Sequence, residues 1–263
     1  MSDDLRQEGP HPYDEFVDWD KRLAREAPFF KRLFEDVGVG RVIDVGAGSA
    51  RHAILFASWG LEVVAVDPDD SMLAQAADNL ERFGDLVTVG GGSVQLVRGG
   101  FGQLTRLGVR PADALICTGN ALPHVIGRDG LTEALADFSS VVVPGGLLVL
   151  HLLNHARLMR SGVRAIVPKV RDTPSGTRVF VRVVGYPPDG EFLDFDFVTL
   201  TRDEHGEWEL EHRRSPHTAI PADVLERELP CAGFGDVRFF GDHAGTELDL
   251  DADESVIVVA KRR

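Results

Sequence analysis

Cysteine is scarce in this chain: two in 263 residues, Cys117 and Cys231, far apart. A disulfide-built scaffold is thereby excluded, and no Cys-x-x-Cys or His-rich spacing offers a zinc site. Cations are also few, 28 Lys and Arg against 42 Asp and Glu, for a formal charge of −14. Nucleic-acid binding needs clustered cations to displace counterions, so no nucleic-acid partner is expected. Long apolar runs are missing too, and none approaches the ~20 residues that span a bilayer. The amino end, MSDDLRQEGPHPYDEF, is acidic and polar, unlike a signal peptide. The expected compartment is the cytoplasm, with no membrane partner. Repeats, low-complexity tracts and long linkers are likewise lacking, which favours a single domain over 1–263.

What the chain does have is alternation. Leu23, Ala27, Phe30, Leu33, Phe34 and Val37 recur at helical spacing, with Pro28 expected to bend or divide that helix. Strand-like Arg41–Val45, a helix over 50–59 and the strand LEVVAVD follow. DDSMLAQAADNLERFG reads as a helix, then a glycine loop leads to a third strand at Val94–Val97. ADALICTGN is nearly continuous in apolar residues, as when both faces of a parallel sheet are covered. DGLTEALADFSSVVV is amphipathic, and Pro144-Gly145-Gly146 is expected to turn the chain into LLVLHLL.

This order predicts an α/β, Rossmann-like, doubly wound sheet of seven mostly parallel strands, the last antiparallel. After Asn154 the pattern changes. TRVFVRVVGY, EFLDFDFVTLTRD and EWELEHR read as antiparallel strands, an insertion after the fifth strand placed at 155–217 as a substrate cover. Residues 1–38 form an N-terminal lid and helix segment in this reading. A helix near Pro221–Leu229 and the strands DVRFF and SVIVVA close the chain.

The motif that carries chemistry is DVGAGSA, 44–50. A dinucleotide fingerprint would need a third glycine where Arg51 stands, and it would not tolerate a carboxylate, Asp44, beside pyrophosphate. Asp44 asks for a cation, while Gly46 and Gly48 allow close backbone approach. S-adenosylmethionine meets both needs, since its ammonium and sulfonium lie close together. Asp67 ends the second strand about 20 residues past the loop, where an acidic residue accepts ribose hydroxyls; it also suits a helix cap.

With those residues in view, the chain resembles the class I S-adenosylmethionine-dependent methyltransferases over roughly residues 13–262. DVGAGSA, VVAVDPDDSML, ADALICTGNALPH, VVVPGGLLVL and the final strand pair carry the likeness. Within that family it is similar to the small-molecule N-methyltransferases of the glycine/sarcosine type, through CTGNALPH and PGGLLVLHLLN. The resemblance implies S-adenosylmethionine as cofactor and S-adenosylhomocysteine as product. It places Gly46, Ala47, Gly48, Asp67 and Pro68 along the cofactor, Met72 on adenine, Gly100 and Phe101 beside it, and Thr118 and Gly119 at the methionine end. Arg22 matches the arginine that grips the cofactor carboxylate, although a solvated helix residue would look the same. Tyr13 is either a lid or a packing anchor.

For the acceptor, the resemblance puts Asn120 at the substrate carboxylate. Leu153 stands where the family has an arginine clamp, and leucine cannot form that bidentate pair. The acceptor is therefore expected to lack glycine's carboxylate or to bind it through another arginine, Arg157 or Arg214. His124, Asn154, Arg214 and His217 complete the candidate substrate residues; His124 and His217 are the candidate bases, with ordinary surface or turn roles as the alternatives. His151 reads as a satisfied core histidine. Asp194 and Asp196 read as a solvated sheet face, and no metal is named. Ala50 replaces a family glycine, with little loss expected.

The expected function is in-line methyl transfer to a small molecule, an amine nitrogen in the first reading. O- or C-methylation of a natural-product scaffold, or cofactor binding without catalysis, are the alternatives. A homodimer is left open.

Overall fold

The computed structural model describes residues 12–173, 176–188 and 190–263, with the side chains of Pro12 and Tyr13 outside the description. Seven strands form the main sheet: β1 (Arg41–Val45), β2 (Glu62–Asp67), β3 (Ser93–Arg98), β4 (Ala112–Cys117), β5 (Val142–Leu153), β10 (Phe234–Phe240) and β11 (Ser255–Arg262). Their order is β10-β11-β5-β4-β1-β2-β3. Pairings among β1 to β5 are parallel, and β11 runs antiparallel to both its neighbours. The winding reverses between β1 and β4, so the loops leaving those two strands part and open a crevice at their carboxyl ends.

Helices cover both faces, which is why the inner strands are mostly apolar on both. On one side α2 (Trp19–Val37) and α3 (Arg51–Ala57) bring Phe29, Phe30, Phe34 and Phe56 onto Val42, Ala65 and Ile116. On the other, α5 (Gly127–Val141) and α7 (Ala222–Cys231) bring Leu131, Phe138, Leu225 and Leu229 onto Ile43, Leu115 and Leu150. Helix α2 starts where Asp18 accepts from the Lys21 amide and ends at Gly38, φ 74°. It continues through Pro28 undivided: the buried phenylalanines on its inner face hold a turn that has lost one backbone hydrogen bond.

Two other expectations are corrected. Helix α4 (Asp70–Gly90) runs to Gly90, beyond the expected end near Gly84. The glycines that follow mark close approach: a Cβ on Gly90 would lie 2.2 Å from the Ser58 carbonyl oxygen, and one on Gly92 2.2 Å from that of Ala57. Pro144-Gly145-Gly146 lies inside β5, absorbed as an irregularity of register against β4 rather than as a turn ahead of the strand.

After α6 (His155–Ser161) the chain builds a second sheet, β6-β7-β8-β9, all antiparallel: β6 (Ala165–Thr173), β7 (Gly176–Gly185), β8 (Phe192–Arg202) and β9 (Trp208–Thr218). The three expected strands are present, and β6 is added to them. Its Pro168 breaks the strand signal in the sequence; as an edge strand with a register shift between Ile166 and Lys169, it tolerates the missing donor. Leu193 and Phe195 are buried with Val184, Leu158 and Ala219, and Asp194 and Asp196 face away, as the alternation predicts. Helix α1 (Pro12–Phe16) touches both halves: Asp14 accepts from Ser49 and Asn79 of the main fold, while Glu15 pairs with Arg178 of β7.

Candidate active site

The crevice begins with the turn after β1. Gly46 and Gly48 have φ of 70° and 55°, and a Cβ on Gly46 would fall 2.6 Å from that of Ala121, so no side chain fits there. Ala50 also adopts φ 58°, a conformation that costs an L-residue about 1–2 kcal/mol. The sequence judged Ala50 by size alone; its backbone is strained, and its fully buried methyl group helps to hold it. Asp67, at the end of β2, accepts from the amides of Gly48 (2.8 Å) and Asp69 (3.0 Å), tying the glycine turn to the start of α4. Pro68 and Gly100 adjoin, a Cβ on Gly100 lying 4.0 Å from that of Pro68, and Phe101 approaches Gly46 in the same way at 3.8 Å.

Asp44 is 1% exposed and its Oδ2 has no hydrogen-bond partner. Burial pushes its carboxyl up to about 7, the neighbouring Asp67 charge adds to the rise, and Arg22 opposes it. Arg22, from α2, gives its Nε to Glu26 (3.0 Å), while its Nη2 is buried and also without a partner. Beneath these groups, Glu26 is fully buried and receives Nε2 of His52 at 2.7 Å. Burial favours the neutral acid, but the His52 hydrogen bond and the Arg22 charge outweigh it and hold Glu26 ionised, below the usual carboxylate range. Glu26, His151 and His243 each place one donor atom within 4.8 Å of the others. Arg22 and Arg25 already claim the Glu26 carboxylate, so a metal cation would compete with two guanidinium groups. His151 is not the satisfied core histidine expected: its Nδ1 has no partner, burial drives it to the neutral form, and it lines the cavity described next.

Between the crevice and the second sheet lies a cavity of about 810 Å³. Arg22, Met72, Gly119, Asn120, His124 and His217 line it. At its throat Asn120, held at φ 66°, fixes a tautomer. Its Oδ1 accepts from the Leu153 amide at 2.9 Å, so its Nδ2 must be the atom 3.3 Å from His217 Nδ1. An amide nitrogen can only donate there, so His217 Nδ1 accepts and the His217 proton sits on Nε2. Burial, with His124, His155 and Arg213 nearby, lowers His217 to about 2. With one nitrogen occupied and the other already protonated, His217 is removed from the candidate bases. His124 packs its ring edgewise on His217, 4.3 Å between centroids, and burial with the Arg213 charge lowers its pKa from the ordinary value.

Residues 42–146 match the methyltransferase domain family. Over 249 residues the chain is 26% identical to a glycine/sarcosine N-methyltransferase of Aphanothece halophytica, covering 95% of this chain and 86% of that protein. These likenesses support a class I S-adenosylmethionine-dependent methyltransferase, with the methyltransferase domain matched over residues 42–146. A second glycine/sarcosine N-methyltransferase, from Parasynechococcus marenigrum (strain WH8102), is 30% identical over 151 residues, 57% of this chain and 51% of that protein, so this match spans about half of that relative. Among solved structures, the sugar N-methyltransferase KedS8 from Streptoalloteichus sp. shares the fold with a TM-score of 0.71 at 16% identity, covering 100% of this chain and 97% of that one.

S-adenosylmethionine is the methyltransferase's cofactor, and the residues present suit it. A buried carboxylate oxygen and a buried guanidinium nitrogen, both without partners, complement the ammonium and carboxylate of its amino-acid end. Two acceptor candidates change standing. Arg214 lies on the outer face of β9, bonded to Asp196, whereas Arg213 faces the cavity with its guanidinium 5.1 Å from the Phe197 ring centre. Asn154 caps α6 by accepting from the Arg157 amide and donates to the carbonyls of Leu250 and Asp253, so its polar atoms are spent on structure. Thr118 is buried, its Oγ1 3.5 Å from His52 Nδ1. Ala47 follows Gly46, both amides donating to the Val66 carbonyl. Tyr13 lies on α1 with its side chain outside the described residues. Sequence reasoning missed Lys169, Phe180, Arg182 and Phe195 on the cavity wall; aromatic and basic residues alternating along the inserted strands were the available signal. Among the described residues no helix is long and apolar enough to cross a membrane.

Proposed function

We propose that this enzyme methylates the nitrogen of a small-molecule amine held between the crevice and the second sheet. When bound, S-adenosylmethionine supplies a methyl group on sulfonium, an electrophile with its leaving group already in place. Asp44 would hold the cofactor's ammonium, Arg22 Nη2 its carboxylate and Asp67 the ribose hydroxyls, with Met72, Gly100 and Phe101 available to adenine. Gly119 and Asn120 lie at the throat between donor and acceptor.

An attacking amine must be neutral. His124, held neutral by burial and the Arg213 charge, would accept the proton that the nitrogen gives up on methylation. His217, fixed as an Nε2–H donor, and Phe195, whose ring centre lies 4.5 Å from it, position the acceptor. Alignment of this kind supplies roughly 7–11 kcal/mol in favourable cases. The observation that carries the reading is the throat itself, a neutral imidazole and an oriented Asn120–His217 pair at the carboxyl end of β4. The N-methylating relatives support it. Glycine is a poor acceptor, because Leu153 lines the cavity where a carboxylate would need an arginine.

The test is an acceptor panel of primary and secondary amines, phenols and activated carbons, read by S-adenosylhomocysteine release and by mass. Turnover restricted to the amines is expected; turnover of phenols alone would replace this reading by O-methylation.

A further inference from the structure

The second sheet turns an unusual charge toward the cavity of a strongly acidic protein. Side chains two apart on a strand share a face, and directly paired residues share it across strands. Arg182 pairs with Phe197 and Phe197 with Arg213, one row across β7, β8 and β9. Lys169 of β6 stands beside that row, paired with Phe180, and its ammonium lies 4.1 Å from the Phe16 ring centre. Arg182 reaches the same ring, at 5.2 Å. All of these side chains line the cavity, and Glu211 is the one carboxylate that the sheet adds to its lining.

Among the described residues neither Lys169 nor Arg213 belongs to an ion pair, although Arg214, one residue further along, is bonded to Asp196 on the outer face. Lys169 and Arg182 are half-buried and Arg213 is exposed; like charges so gathered repel, and solvent screens the half-buried two less than groups at an open surface. Lys169 registers this: burial first, then Arg182, Arg171 and Arg22, lower its pKa from the ordinary lysine value, with the Asp18 carboxylate opposing them. An anion seated on the row would relieve that repulsion and gain charge-assisted hydrogen bonds.

We infer that Arg213, Arg182 and Lys169 form a subsite for an oxyanion, phosphate or carboxylate, carried by the methyl acceptor at the end remote from its reacting nitrogen. The inference rests on the amine reading only for the chemistry of that other end. Arg213 and His217 lie four residues apart on one face of β9, a span of about 13 Å at roughly 3.3 Å per residue. The acceptor is thus an extended molecule with a charge at its far end, beyond the reach of glycine or its methylated forms.

Two arms test this. In the first, protein saturated with S-adenosylhomocysteine is titrated calorimetrically with inorganic pyrophosphate and, separately, with succinate. Saturable binding of at least one is expected, weakened tenfold or more by Arg213→Gln and by Lys169→Gln and unchanged by Arg214→Gln. Which anion binds tells a phosphate-bearing acceptor from a carboxylate-bearing one. Absence of saturable binding by both, or an equal loss with Arg214→Gln, overturns the subsite. In the second arm, amines with and without a remote phosphate or carboxylate are compared as acceptors. Arg213→Gln should lower kcat/KM for the charged member of a pair at least tenfold more than for the neutral one, and equal losses count against the proposal. If no amine is methylated while the anion still binds, the amine reading fails and the subsite stands.

Discussion

Asp44 is buried and Arg22 half-buried, and these groups of opposite charge influence one another without bonding. Arg22 lowers the Asp44 carboxyl through space, yet Asp44 Oδ2 and Arg22 Nη2 both lack partners. Left so, each is a cost to the folded chain. Together they are a template for a zwitterion.

Replacing Asp44 should therefore separate stability from binding. Its carboxyl ionises near 7 in the folded protein against 3.8 when exposed. Because the folded value is the higher one, its penalty is absent below about 4, grows as pH rises and is complete above 7. Relative to Asp44→Asn, the cofactor-free wild type should lose roughly 3 kcal/mol of stability between pH 5 and pH 8, read from denaturant unfolding. The same variant should bind S-adenosylmethionine at least tenfold more weakly. At pH 6 wild-type binding should release a proton, seen as a binding enthalpy that depends on the buffer, and Asp44→Asn should lose that dependence.

At the throat, Asn120→Asp keeps an acceptor for the Leu153 amide but removes the donor to His217 Nδ1. His217 should then move its proton to Nδ1, visible in the ¹⁵N chemical shifts of its ring. Methyl transfer should fall about a hundredfold while cofactor affinity holds. An Nδ1–H tautomer already present in the wild type would contradict the hydrogen-bond order described here.

His124 should set the acidic limb of the rate. With its pKa lowered by burial and Arg213, kcat/KM should rise with pH through a midpoint below 6.5. His124→Gln should cost on the order of a hundredfold and erase that limb. A limb that persists in the variant would assign it to another group.

Asn154→Ala should behave as a structural change alone. Losing the α6 cap and the donors to two loop carbonyls should cost about 2–3 kcal/mol in unfolding free energy, with KM for the acceptor unmoved.

The main sheet and its crevice were legible because their signals are local: apolar runs, the glycine turn after Asp44, the acid that ends the next strand. Helix α4 was misjudged because glycines that read as a loop are close-packing points against Ser58 and Ala57, a contact between chain segments about thirty residues apart. The choice between Arg213 and Arg214 lay beyond the sequence for a similar reason. In WELEHRRSPHT apolar residues are too few to phase the strand. Its phase comes from pairing, Arg213 opposite Phe197 and Arg214 opposite Asp196, and register across a hairpin is not written in either strand alone. The Glu26, His52, His151 and His243 group gathers from four distant stretches of chain and leaves no motif.

The second sheet leaves the main fold after Leu153 and returns through Ala219 into α7. It adds no strand to the main sheet. The cations facing the far end of the acceptor thus stand on a stretch of polypeptide separate from the one that carries Asp44, Asp67 and the glycine turn. The length and charge of the acceptor can therefore be altered, by recombination or by design, on strands that leave the methyl-donor turn in place, with Asn120 as the seam between the two.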